Sequence, residues 1–109
     1  MTKLKELNIC GNKIGRLPDM ICQLHLLERL DISSCHLQRL PTCIGQLTRL
    51  KILVVSINQL QRLPIEISQL TKLERLDVSN NQLRNIPTEI SKLSLLKNLD
   101  VTYNKLLDL

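Results

Sequence analysis

The chain has 109 residues, of which 43% are apolar, a net charge of +5 and a single aromatic residue, Tyr103. This length allows one domain, taken as 1–109, and 25 Leu and 11 Ile with no Phe or Trp do not suit an ordinary mixed core. No apolar run approaches the roughly 18 residues that span a bilayer, no secretory leader is expected because Leu4 to Ile9 already belongs to a repeating pattern, and the positive charge invites an acidic partner without requiring one.

The first predicted element opens at Leu4, and copies of it open at Leu27, Leu50, Leu73 and Leu96, 23 residues apart with no insertion or deletion. Internal periods of this length mark stacked repeats. Counting the opening Leu as position one, apolar residues fill positions 1, 4, 6, 11, 14, 18 and 21 of every complete copy; in the third these are Leu50, Leu53, Val55, Leu60, Leu63, Ile67 and Leu70. The alternation at positions 4 to 6 is the period-two signal of a short strand. A proline follows at Pro18, Pro41, Pro64 and Pro87; it lacks the donor that a sheet ladder needs and turns the chain. Next, Ile-x-x-Leu places two apolar side chains three residues apart, the spacing of one helical or 3₁₀ turn. Each copy therefore reads as strand, turn, short helical stretch and return. Stacked copies give a parallel sheet with strands about 4.8 Å apart. Position nine is Asn12, Asn58, Asn81 and Asn104, with Cys35 in the second copy. Such an Asn is expected to face inward and bond backbone groups of its own and the adjoining coil, with Cys35 as a weaker, structural substitute.

The segments Leu73-Glu74-Arg75-Leu76-Asp77-Val78-Ser79-Asn80-Asn81-Gln82-Leu83 and Leu63-Pro64-x-x-Ile67-x-x-Leu70, with their counterparts, resemble the leucine-rich repeat family. The likeness is to the 23-residue Ras-suppressor, Scribble and plant Ras-group type, and also to repeats of bacterial effector proteins. The resemblance implies an α/β fold: a right-handed solenoid, a curved horseshoe segment of about 4.6 repeats, with the sheet on the concave face and helical or 3₁₀ segments on the convex face. It also implies cytoplasmic scaffolding, with small GTPase or phosphatase signalling complexes as the partner class.

The four cysteines, Cys10, Cys22, Cys35 and Cys43, lack paired spacing and end-cap clustering and are expected to be reduced thiols. Cys22, His25 and Cys43 form at most a weak metal set without Cys-x-x-Cys pairs, so no metal or cofactor is expected. His25 and His36 fall at unrelated positions, no nucleophile–base pairing is suggested, and no catalytic residue is assigned. Neither end carries a recognisable polar cap, which leaves three readings: a piece of a longer array, an engineered repeat unit, or ends covered by another subunit.

Function is expected on the concave face, where positions 3 and 5 point away from the core and position 8 continues the surface. Ile52, Val54 and Ile57 interrupt columns that hold no aliphatic side chain in the other copies. They are expected to form an exposed apolar centre, flanked by Arg29 and Asp31 on one side and Arg75 and Asp77 on the other. Asn80, Asp100 and Tyr103 extend it. An apolar centre with a charged rim is the anatomy of a protein-binding hot spot, so the expected function is non-catalytic protein–protein interaction. Two alternatives stand beside it: end-to-end self-association, and binding of anions or nucleic acid through the basic row Arg16, Arg39, Arg62 and Arg84. Aromatics for base stacking are absent from that row, which counts against nucleic acid. Ile65 is expected to be exposed just after Pro64.

Overall fold

The computed structural model describes residues 3–106. Five parallel strands of three residues each, β1 (Glu6–Asn8), β2 (Arg29–Asp31), β3 (Ile52–Val54), β4 (Arg75–Asp77) and β5 (Asn98–Asp100), lie side by side in chain order. Their register is uniform: Leu7, Leu30, Leu53, Leu76 and Leu99 stand in one row, each 23 residues from the next. Backbone bonding runs past the strand ends. Ile32 N donates to Val54 O at 2.9 Å and Ser34 N to Ser56 O at 3.1 Å, and the same two bonds recur between the later coils.

Four 3₁₀ turns face the opposite side: η1 (Asp19–Gln23), η2 (Thr42–Gln46), η3 (Ile65–Gln69) and η4 (Thr88–Lys92). Each follows one of the prolines, which hold extended backbone with ψ between 138° and 148°. Having no N–H, each proline donates no backbone bond to the neighbouring coil and leads the chain into the turn. Each turn is closed by the following leucine, as when Leu24 N donates to Ile21 O at 3.1 Å. Packing between η2 and η3 is tight enough that a Cβ at Gly45 would fall 2.9 Å from the Glu66 carbonyl oxygen.

The interior is one aliphatic column. Leu27, Leu30, Ile32, Leu50, Leu53, Val55, Leu73, Leu76 and Val78 are fully buried, and burial of each Leu contributes about 2 kcal/mol. Leu4, Leu7 and Ile9 in the first coil, and Leu96 and Val101 in the last, are only partly buried because such layers have a neighbour on one side. This architecture is the solenoid expected from the periodicity.

Asn58, Asn81 and Asn104 line the inward turn as expected, whereas Asn12 is exposed in coil one and bonds only Ile9 O and Cys10 O of its own coil. Asn58 accepts at Oδ1 from Cys35 N and Leu37 N, each at 3.0 Å, and its Nδ2 donates to Ile32 O, Val55 O and Ser56 O. Asn81 and Asn104 repeat the three donations one and two coils on, and each accepts from one amide, Leu60 N and Leu83 N respectively. Cys35 is buried, and its thiol donates to Ile9 O at 3.1 Å and Ser33 O at 3.3 Å. In coil one the amide equivalent to that of Leu37 belongs to Ile14, and Cys35 offers it no carboxamide oxygen.

The expectation of four reduced thiols is corrected: Cys22 and Cys43 form a disulfide, with Cα atoms 5.8 Å apart. They sit at different repeat positions, Cys22 near the end of η1 and Cys43 near the start of η2. Stacking brings these adjacent turns together although the two residues share no column. A disulfide sulfur cannot act as a thiolate ligand, which removes Cys22 and Cys43 as candidates for holding metal. Among the described residues no helix is long and apolar enough to cross a membrane.

Candidate functional site on the concave sheet and its rim

The residues expected to make an exposed apolar centre do not do so together. Ile52 is half-buried, and Val54 is buried with only 9% of its surface accessible, whereas Ile57 is 56% exposed. The reason is cross-strand packing. Val54 lies in register between Asp31 and Asp77, and at strand spacing these neighbours shield a short side chain. Val54 is therefore withdrawn as a contact residue, and little apolar area remains there for a partner to cover. Arg29 and Arg75 are exposed on either side of Ile52, as expected. Arg75 Nη2, exposed, lies 3.9 Å from Oδ2 of the half-buried Asp77, a long pair of small energetic weight.

The aspartates have a local structural role that the sequence reading missed. Asp31 Oδ1 accepts from Ser33 N and Oγ and from the Cys10 thiol. Asp77 Oδ1 accepts from Ser79 N and Oγ, and Asp100 Oδ1 from Thr102 N and Oγ1. Asn8 accepts from Cys10 N in the same way. The signal was an Asp or Asn two residues before Ser, Thr or Cys, the spacing at which such side chains cap the following backbone. Only the third copy breaks it, with Val54 before Ser56, and there the Ser56 hydroxyl pairs with that of Ser33 at 2.9 Å. One oxygen of each carboxylate is thus committed to the fold.

Burial pushes the Asp31 carboxyl up, but hydrogen bonds from Cys10 and Ser33 and the charge of Arg29 outweigh it and hold the group below its ordinary value. Hydrogen bonds from the Thr102 hydroxyl and amide lower Asp100 in the same sense. A lowered folded value means that the native state favours the carboxylate. The resulting stability is present above the unfolded value and is lost as pH falls through the folded one. Melting midpoints should therefore decline below about pH 4. Asp31→Asn with Asp100→Asn, which keeps the acceptor that Asn8 uses, should flatten the decline; an undiminished acid slope in that variant would refute the assignment. Burial, followed by donation to Asp31, raises the Cys10 thiol, so this exposed cysteine is held protonated and is a poor nucleophile.

The second missed feature is the backbone at position eight. Gly11, Ser34, Ile57, Asn80 and Tyr103 all have left-handed φ, +79° for the glycine and +55° to +57° for the others. The column was legible in part, because Gly11 and Asn80 are residue types that tolerate this region. Ile57 and Tyr103 do not suit it. A β-branched residue at positive φ is an outlier, and held strain of this kind costs on the order of 1–3 kcal/mol. Both side chains project from the rim, Tyr103 with 79% of its surface exposed, and Asn80 stands between them.

On the loop edge beyond the rim, Arg16, Arg39 and Arg62 stack as expected: Arg16 and Arg39 line one groove, and Arg39 and Arg62 the next. Arg84, one position out of column, lines neither. Ile65 is exposed on the far side, as expected.

A family model described as a leucine-rich repeat region matches residues 1–109. A leucine-rich repeat protein of Leptospira interrogans superposes with a TM-score of 0.94 at 37% identity, covering 98% of this chain and 27% of that one. An internalin C2 of Listeria monocytogenes gives a TM-score of 0.88 at 29% identity, covering 98% and 46% respectively. The BIR2 ectodomain of Arabidopsis thaliana gives 0.72 at 29% identity, covering 85% and 52%. The chain thus spans about a quarter to a half of the length of these structures. Comparison with curated protein sequences returns no match. With strands, turns and register all at the 23-residue period and the family model matched end to end, the chain belongs to the leucine-rich repeat family, whose members generally mediate protein–protein interaction.

Proposed function

We propose that the chain is a non-catalytic protein-binding module that engages its partner with the concave sheet and its rim, Ile57 acting as anchor. Ile52, Arg29, Arg75, Asn80 and Tyr103 share the sheet and its rim with it, and the outward oxygens of Asp31, Asp77 and Asp100 supply polar contacts. The supporting observation is the combination found at Ile57: an isoleucine with φ of +55° and more than half its surface exposed. Such a residue weakens the fold without filling the core, a trade that makes sense where a partner covers the side chain.

Ile57→Asn separates stability from binding. Asparagine suits the left-handed region, as Asn80 illustrates one coil away, so the variant should be more stable by about 1 kcal/mol in urea melts. Its capture of a protein partner should drop sharply. A variant that is less stable, or that captures its partner as well as the parent does, would overturn the proposal.

The family resemblance implies small GTPase or phosphatase signalling complexes in the cytoplasm. The Cys22–Cys43 disulfide supports a different setting, since cytosolic thiols are kept reduced and structural disulfides belong to oxidising compartments. We therefore read the partner as a protein met outside the reducing cytosol. A second reading, end-to-end association, is favoured by an apolar hollow of about 500 Å³ on the outer side of coil one, lined by residues that include Leu4, Leu7, Ile14 and Met20. Sedimentation over a concentration range distinguishes the two, because a stacking chain gains mass and a partner-binding monomer does not.

A further inference from the structure

We propose that the loop edge over coils two to four is a second binding site, for an extended acidic peptide. The six residues that line this groove of about 610 Å³ are Gln38, Arg39, Gln59, Gln61, Arg62 and Gln82. Repeat stacking assembles it. Gln38 and Gln61 occupy one column, Arg39 and Arg62 the next, and Gln59 and Gln82 a third, each pair 23 residues apart. All six side chains are exposed, and neither arginine is in an ion pair among the described residues. The adjoining groove shares Arg39 and adds Arg16, but it also contains Asp19, which lowers its appeal to an anion.

The donor and acceptor inventory selects the ligand. A carboxamide both donates and accepts, matching the N–H and C=O that a peptide backbone presents together. A guanidinium donates a planar fork, matching a carboxylate. Phosphate and sulfate groups present acceptors alone, so they can use the glutamine N–H donors but leave the four carbonyl oxygens without a partner. Single-stranded nucleic acid would further need aromatic platforms, and the one aromatic residue, Tyr103, is not among the lining residues. The dimensions also fit. Coils repeat about every 4.8 Å and an extended chain rises about 3.3 Å per residue, so carboxylates two residues apart lie within reach of guanidinium arms one coil apart. This site does not depend on the concave one.

The test is titration of the full chain with a short oligoglutamate peptide, a heparin oligosaccharide and single-stranded DNA. Oligoglutamate should bind and weaken as salt rises. Arg39→Gln with Arg62→Gln should weaken it about tenfold or more. Gln59→Ala with Gln61→Ala leaves net charge unchanged and should still weaken it several-fold. Lys5→Gln with Lys97→Gln, which removes as much charge away from the groove, should have little effect, and Ile57→Asn should bind oligoglutamate as the parent does. Loss in the lysine variant equal to that in the arginine variant would show attraction by net charge and overturn the proposal. Tighter binding of heparin or DNA than of oligoglutamate, no oligoglutamate binding, or loss in Ile57→Asn would overturn it as well.

Discussion

Opening the Cys22–Cys43 disulfide, by a thiol reductant or by replacing both residues with serine, should destabilise the protein by about 3 kcal/mol. The bond joins residues 21 apart in sequence, and the loop it closes removes that much conformational freedom from the unfolded chain in the entropic account. Its position makes the local effect larger than the global one. It clasps coils one and two, the junction where Cys35 stands in the asparagine column and offers the amide of Ile14 only a weak sulfur acceptor. Coil one has the rest of the molecule on one side only. Hydrogen exchange in coil one should therefore accelerate first on reduction, with coils three and four protected until global unfolding. Equal melting midpoints with and without reductant, or uniform loss of protection, would contradict this account. Intact mass after alkylation reports directly whether two thiols or four are available.

Replacing Asn58 with alanine should cost about 3–5 kcal/mol, more than any surface substitution. Its side chain serves two backbone donors and three backbone acceptors across coils two and three, and the residue is buried. Truncation leaves several of these without partners. Each buried group so orphaned costs about 1–3 kcal/mol, although the sum is reduced where water enters. The same change at Asn104, which is only partly buried in the last coil, should cost about 1 kcal/mol. Asn58→Cys should lie between alanine and the parent, because the thiol can donate to carbonyls as Cys35 does but accepts poorly. Urea unfolding of the four proteins measures the order. A loss at Asn58 no greater than at Asn104 would show that the ladder is not what holds the turns together.

The candidate site was legible only in outline. Alternation placed Arg29, Ile52, Val54 and Arg75 on the outward face of the sheet, and there they are. Alternation carries no information about depth, and Val54 proved buried between two aspartates whose own oxygens are drawn onto Ser33 and Ser79. The left-handed rim was written in Gly11 and Asn80, yet its meaning at Ile57 and Tyr103 required the backbone angles.

A period held at 23 residues through every copy determined the parallel order, the register, the aliphatic interior and the asparagine ladder, because coils of equal length must stack like upon like. Relations between unlike positions were decided only in three dimensions. Cys22 meets Cys43 across two columns, Val54 is shielded by its flanks, and two arginines and four glutamines from three columns close around one groove. A one-dimensional repeat specifies what lies above what; the distance sideways between columns, and the solvent left between them, depends on how each coil bends.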